Sequence, residues 1–130
     1  MKIIGTGSAH PTCAVTNQML EQFLETTDEW ITERTGIKER CVISSEHLED
    51  MAVHAANKAL EDAGLTAADI DFLICSNVVN EYVTPALSCI IQGKLGAKCP
   101  TVDINAACAG FIYAMDMADD KLKAGKAKNI

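Results

Sequence analysis

Short β-rich runs alternate with amphipathic helical segments along this chain, and that alternation restricts the fold more than any other feature. Buried strands are predicted over 72–79 and 101–104. The segments around them carry apolar residues at i, i+3 and i+4, the spacing that places side chains on one face of a helix. Strands that alternate with helices form a largely parallel sheet with the helices packed on it. The sequence therefore predicts an α/β fold, organised as one domain over residues 1–130.

The clearest helical pattern covers residues 48–63, and its apolar face is mostly alanine. Such small side chains require a neighbouring element that packs closely on the helix. Gly64 ends the pattern, and Thr66 and Asp69 then form a capping box. The remaining predicted elements are a strand over 2–6, a short helix capped by Thr16 that carries Phe23 and Leu24, a helix over 28–34 ended by Gly36, a strand over 38–43, a helix started by Pro85, and a helix from just after Cys108 to near Gly125.

The alternation is interrupted where the sequence stops. A strand is due after Gly125, and Ile130 has the character of its first core residue. A helix over a sheet that lacks its next strand leaves an apolar face uncovered. On this pattern we expect the chain to be part of something longer.

Composition and charge exclude several classes of protein. No apolar run approaches the length of a membrane span, and the N-terminus has no signal-peptide pattern, so a cytoplasmic protein is predicted. The six cysteines form no CxxC pair and have no regular spacing, which argues against a disulfide framework and against a metal site. The net charge of −7 argues against nucleic-acid binding.

Cys108 is the candidate nucleophile, because it lies between a predicted strand and the start of a helix. A side chain at such a corner is close to the free N–H groups of the first helical turn, where negative charge is favoured. The thiolate is the nucleophilic form of cysteine. Small neighbours, from Ala106 to Gly110, leave room for a substrate. Because most cysteines of intracellular proteins are inert parts of the core, the residues alone leave both interpretations open.

Three stretches of the sequence carry a resemblance to a known family. They are IIGTGS at 3–8, TDEWITERTGI at 27–37 and AACAGF at 106–111. In this order and at closely similar spacing, they resemble the N-terminal part of β-ketoacyl-(acyl carrier protein) synthase III, in the thiolase superfamily. The resemblance covers essentially all of the chain, and members of that family are much longer. It implies a thiolase-like fold of which this chain represents the N-terminal half.

The resemblance implies an acyltransferase that initiates fatty-acid biosynthesis. In that family the cysteine that matches Cys108 takes the acyl group from acyl-CoA, and its backbone N–H contributes to the oxyanion hole. The complete enzyme then condenses the acyl group with malonyl-(acyl carrier protein) and releases carbon dioxide. The resemblance implies a homodimer and no tightly bound cofactor or metal, since the coenzyme A thioester is a substrate. The family's catalytic histidine and asparagine have no match in this sequence, so we do not expect this chain alone to complete a condensation.

The resemblance also assigns binding residues. Trp30 and Arg34 match positions that hold coenzyme A, and Thr26 is expected to lie beside them in the same site. An indole can stack on adenine, and a guanidinium can pair with phosphate. The alternative for Trp30 is a helix residue half-buried against the core. Thr84 matches a position that lines the acyl pocket across the dimer interface, where some relatives have a bulky aromatic residue. The smaller threonine predicts acyl groups longer or more branched than acetyl.

Three other functions stay open at this point. Another condensing enzyme of the same superfamily, with polyketide or quinolone-type products, shares the motifs. A non-catalytic fragment that dimerises through its alanine-faced helix needs no reactive thiol. A redox sensor requires oxidation of Cys108 without any response to acyl-CoA.

Overall fold

The computed structural model describes all residues from Met1 to Ile130. They form two compact units, a small unit of Ala9–His47 and a large unit of Met1–Ser8 with Leu48–Ile130. None of the helices combines the length and the hydropathy that crossing a lipid bilayer requires.

The small unit consists of two strands and two helices. They are β1 (Cys13–Thr16), α1 (Asn17–Leu20), α2 (Asp28–Thr35) and β2 (Glu39–Val42), and the two strands pair antiparallel. The hydroxyl of Thr27 caps α2 by accepting the N–H of Trp30 at 3.1 Å, and Gly36 ends the helix with a φ of 72°. The predicted helix over 28–34 and strand over 38–43 are thus confirmed. The helix that Thr16 caps is shorter than predicted, because it ends at Leu20, and Phe23 lies exposed beyond it.

The large unit has the predicted alternation of strands and helices. Its elements are α3 (Leu48–Ala63), a 3₁₀ turn (Ala67–Asp69), β3 (Leu73–Ser76), α4 (Leu87–Leu95), β4 (Thr101–Ile104), a second 3₁₀ turn (Ala107–Ala109) and α5 (Gly110–Lys123). Strands β3 and β4 pair in parallel, with Ser76 opposite Ile104. The capping box is present, since both the N–H and the hydroxyl of Thr66 donate to Asp69. The α/β class is confirmed.

The N-terminal strand predicted over 2–6 is wrong, because this segment has no regular secondary structure. A strand needs a hydrogen-bonded neighbour, and the N–H of Thr6 instead donates to the carboxylate of Asp62 on α3 at 2.9 Å. A Cβ placed on Gly5 would overlap the carbonyl oxygen of Ala59. The close neighbour that the alanine face of α3 predicts is therefore this N-terminal segment.

The predicted start of the next helix at Pro85 is also wrong, since α4 begins at Leu87. Its N-cap residue is Ala86, whose side chain cannot accept a hydrogen bond. The cap comes from β4, where the Asp103 carboxylate accepts the N–H of Leu87 at 3.0 Å and that of Ser88 at 2.8 Å. A residue distant in sequence thus sets where α4 begins.

Apolar surface remains exposed in the large unit. The loop between β3 and α4 exposes Val78, Val79, Tyr82 and Val83, and the first turn of α5 exposes Phe111, Ile112 and Tyr113. A cavity of about 480 Å³ lies among the N-terminal segment, α3, β3 and α5. Exposed patches of this kind are typical of surfaces that bind another protein or a ligand.

Candidate active site

Cys108 lies at the predicted corner between a strand and a helix. Strand β4 ends at Ile104, Cys108 occupies the 3₁₀ turn that follows, and α5 starts at Gly110. Its side chain is exposed, whereas Cys99 is buried. The structure therefore favours an accessible thiol over an inert core cysteine. That Cys108 is the nucleophile stays a prediction.

Backbone strain lies directly before this cysteine. Ala107 has a φ of 46° and is the one non-glycine residue with a positive φ. This left-handed conformation costs an L-residue about 1–2 kcal/mol, because its Cβ approaches the carbonyl oxygen that follows. Residues held in such conformations concentrate at functional sites. We interpret Ala107 as the residue that turns the chain from β4 into the Cys108 turn.

The start of α5 packs directly on the end of β3. A Cβ on Gly110 would overlap the hydroxyl oxygen of Ser76. Gly110 is buried, so a side chain there has no solvent to move into. The missing side chain lets the corner approach the sheet, and this contact holds the Cys108 turn at the carboxyl edge of β3 and β4.

Asp103 joins three elements beneath the corner. In addition to its two bonds to the start of α4, its carboxylate accepts the Nδ2 of Asn77 at 3.0 Å. Burial of the Asp103 carboxyl opposes ionisation, but hydrogen bonds from Ser88, Asn77 and Leu87 outweigh burial and lower its pKa. Asp103 was not among the residues predicted from the sequence. The available signals were a carboxylate in an otherwise apolar strand and a helix without a capping side chain.

Cys75 contrasts with Cys108. It lies on β3 opposite Asp103 and is partly buried. Burial raises the pKa of the Cys75 thiol, the hydrogen bond from Asn77 opposes this, and the Asp103 charge adds to the rise. The neutral thiol is the stable form there, so Cys75 is a poor candidate for a nucleophile.

The predicted coenzyme A residues lie on and beside α2. The Cζ of Arg34 is 5.9 Å from the centroid of the Trp30 ring, within the range of a cation–π interaction. Trp30 is 57% exposed, so its ring is not part of the core. One helical turn therefore presents an aromatic face and a guanidinium to solvent together.

Thr26 borders a hollow next to Trp30. The hollow has a volume of about 660 Å³ and is lined by Leu24, Glu25, Thr26, Thr27, Trp30 and Ile31. The Thr26 hydroxyl is buried and has no hydrogen-bond partner. Leaving a buried polar group unpaired costs about 1–3 kcal/mol. The structure thus places Thr26 and Trp30 at one hollow and Arg34 beside the Trp30 ring, and their role in binding coenzyme A stays a prediction.

The remaining predicted site residue, Thr84, lies exposed just before Pro85 in the loop between β3 and α4. It does not line the cavity of the large unit. Its role in an acyl pocket stays a prediction. No group of three His, Cys, Asp or Glu side chains is arranged to hold a metal ion.

The chain is similar to known condensing enzymes. Residues 31–130 match the family model described as thiolase, N-terminal domain. Beta-ketoacyl-acyl-carrier-protein synthase III of Clostridium perfringens (strain SM101) is 49% identical over 98% of this chain and 40% of that protein. The crystal structure of 3-oxoacyl-acyl-carrier-protein synthase III from Aquifex aeolicus VF5 superposes with a TM-score of 0.94 at 46% identity, over 98% of this chain and 42% of that chain.

A solved structure of an enzyme from polyketide biosynthesis is also similar. The priming beta-ketosynthase from the R1128 polyketide biosynthetic pathway has a TM-score of 0.93 at 37% identity, over 98% of this chain and 39% of that one. This chain thus spans about two fifths of the length of the relatives it matches.

Proposed function

Because this chain belongs to the thiolase N-terminal domain family, we propose that it is the nucleophile-bearing part of an acyltransferase of the β-ketoacyl-(acyl carrier protein) synthase III type. The observation that carries the proposal is the exposed Cys108 at a strained corner between β4 and α5. The matched relatives are named as synthase III enzymes, and their similarity extends over essentially the whole of this chain.

The proposed first step transfers an acyl group from coenzyme A to Cys108. The thiolate attacks the thioester carbonyl, a new carbon–sulfur bond forms, and the bond to the coenzyme A sulfur breaks. The departing sulfur takes the proton that Cys108 gives up. The negative charge on the carbonyl oxygen is stabilised by the backbone N–H of Cys108, and a donor of this kind contributes about 3 kcal/mol in other acyl-transfer enzymes.

The proposed second step is condensation with malonyl-(acyl carrier protein). Loss of carbon dioxide from the malonyl group leaves a carbanion, which attacks the acyl thioester and releases the Cys108 thiolate. His10, His47 and His54 are all exposed and do not match the family's catalytic histidine. We therefore assign only the acylation step to residues of this chain.

Coenzyme A binding is assigned to the small unit. We propose that the Trp30 ring stacks on the adenine, that Arg34 pairs with phosphate, and that the Thr26 hydroxyl gains a partner from the ligand. The exposed aromatic face, the adjacent guanidinium and the unpaired buried hydroxyl support this assignment. Coenzyme A enters as part of a substrate, and no resident cofactor is proposed.

We further propose a cytoplasmic homodimer. The apolar residues exposed on the loop between β3 and α4 and on the first turn of α5 provide a surface for a second copy. Thr84 lies in that same loop, which is compatible with a role at a subunit boundary. A reducing compartment suits a chain in which all six cysteines are free.

A priming polyketide synthase is the second candidate, and the similarity to the R1128 enzyme favours it. Intact-protein mass spectrometry after incubation with a panel of acyl-CoAs tests the acylation of Cys108 that both candidates share. Each candidate predicts a mass gain of one acyl group that Cys108→Ala abolishes and that Cys89→Ala, at another exposed cysteine, retains. Because Thr84 is small, we expect four- to eight-carbon groups to be accepted as well as acetyl. Exclusive use of acetyl would contradict that expectation, and the absence of any gain would contradict the acylation step.

A further inference from the structure

Helix α2 carries Trp30 and Arg34 but has no buried residue of its own. A helix of eight residues is also too short to be stable alone. Apolar packing therefore does not explain how the Trp30–Arg34 pair is held in place. The explanation lies in polar contacts of the small unit.

Asn17 is the most deeply buried residue of the small unit, with no exposed surface. Its Nδ2 donates to Asp28 Oδ1 at 2.7 Å and to the carbonyl of Ile37 at 2.8 Å. Its Oδ1 accepts from Arg40 Nη2 at 2.6 Å. Both amide hydrogens and the amide oxygen are thus paired, and the pattern fits an asparagine and no other residue of this size.

These contacts connect the two ends of α2. Asp28 is the first residue of the helix, and Ile37 directly follows Gly36, which ends it. Asp28 also accepts bonds from Thr32, one turn along α2, at 3.2 Å and from Gln18 at 3.0 Å. One side chain therefore connects the first residue of α2 with the segment that follows its last turn.

We propose that Asn17 is a positioning residue for the coenzyme A site, acting through α2 without touching the ligand. That coenzyme A is the ligand rests on the proposed function, whereas the positioning of α2 by Asn17 does not. Buried hydrogen-bond networks in which every group is paired hold a single arrangement, and loss of one member releases the others. Asn17→Ala leaves Asp28 and Arg40 without a shared partner, so α2 gains freedom while its own residues are unchanged.

Trp30 makes the test direct, because it is the only tryptophan of the chain and its fluorescence reports on α2 alone. In Asn17→Ala we expect a lower fluorescence anisotropy of Trp30, faster amide hydrogen exchange over 28–35, and coenzyme A binding weakened about tenfold. The control is Ser88→Ala, since Ser88 is the other fully buried polar residue and belongs to the large unit. It should leave all three quantities at the wild-type level. Far-UV circular dichroism verifies that each variant is folded.

Each outcome decides the inference. Unchanged Trp30 anisotropy and amide exchange in a folded Asn17→Ala variant would overturn the inference. Changes of the same size in Ser88→Ala would also overturn it. If the wild type does not bind coenzyme A, the proposed function fails, and anisotropy and exchange alone decide whether Asn17 positions α2. If Asn17→Ala does not fold, Asn17→Asp replaces it, because an oxygen then stands where Nδ2 donates to Asp28 and Ile37. That variant retains the size of the side chain, and it must still increase exchange over 28–35.

Discussion

The carboxylate of Asp103 accepts the backbone N–H of Ser88 at 2.8 Å, although the two residues are 15 positions apart. Strand β4 thereby caps α4 and, five residues later, leads into the turn that holds Cys108. The scaffold beneath the candidate nucleophile thus depends on a charged side chain.

Asp103→Asn should destabilise the protein at neutral pH but much less in acid. The pKa of the Asp103 carboxyl is lowered in the folded state, so the unfolded chain binds the proton more tightly. The resulting stability is present above the unfolded pKa of about 3.9 and is lost as the pH falls through the folded value. Loss of the charged cap should cost about 1–2 kcal/mol at pH 7.

Urea unfolding of wild type and Asp103→Asn at pH 7 and pH 3 checks this prediction. The difference in the free energy of unfolding should shrink at the lower pH. Asp116→Asn, at an exposed position on α5, serves as the control and should change stability by less than about 0.5 kcal/mol. A difference that is equal at both pH values would show that the charge of Asp103 is not what stabilises α4.

Ala107→Gly should not destabilise the protein, contrary to the usual effect of glycine. Glycine adopts the φ of 46° without strain, which recovers about 1–2 kcal/mol and offsets the greater entropy of the unfolded chain. Ala109, two residues on, has a φ of −85°, so Ala109→Gly should cost about 0.5–1 kcal/mol. Thermal unfolding of the two variants provides the comparison. Equal losses would mean that Ala107 is not strained.

Gly110→Ala should destabilise by about 1–3 kcal/mol, because the added Cβ overlaps the Ser76 hydroxyl. Gly93→Ala lies on α4, where the added Cβ has no atom within 4 Å apart from its chain neighbours and the nearby backbone of its own helix. It should instead stabilise by up to about 1 kcal/mol. Ser76→Ala removes the overlapping oxygen, so the double variant should recover most of the loss. A double-mutant cycle from urea unfolding measures this coupling, and additive effects would exclude the contact as its cause.

Thr26→Val should stabilise the free protein and weaken coenzyme A binding. The Thr26 hydroxyl is buried without a partner, and its removal should raise the free energy of unfolding by about 1 kcal/mol. Thr27→Val is the matched control, because the Thr27 hydroxyl caps α2 and its loss should destabilise by about 1 kcal/mol. Thermal unfolding measures the stability of each variant, and titration of Trp30 fluorescence measures its affinity for coenzyme A. A destabilised Thr26→Val would show that this hydroxyl already has a partner in the folded protein.

Local patterns in the sequence predicted the elements that depend on nearby residues. The bounds of α3 and the capping box of Thr66 and Asp69 depend on contacts within a few positions, and both are confirmed. The strand over 2–6 and the helix start at Pro85 were wrong because distant residues decide them. Asp62 takes the N–H of Thr6, and Asp103 caps α4.

The candidate site, like the fold, was predicted only in part. Family motifs identified Cys108 and the pair of Trp30 and Arg34, and the structure places each on an accessible surface. The supporting residues were missed. Asn17 connects to Ile37 and Arg40 only when the chain is folded, and one asparagine between a strand and a helix carries no sequence signal of that role.

The most direct test of the account is to locate the acyl group among the six cysteines after incubation with acyl-CoA. Proteolysis and tandem mass spectrometry of the acylated chain identify the modified residue. We predict a single thioester on Cys108, formed at the same rate in Cys89→Ala and absent from Cys108→Ala. An acyl group spread over several exposed cysteines, or one that persists in Cys108→Ala, would contradict the assignment of Cys108 as the nucleophile.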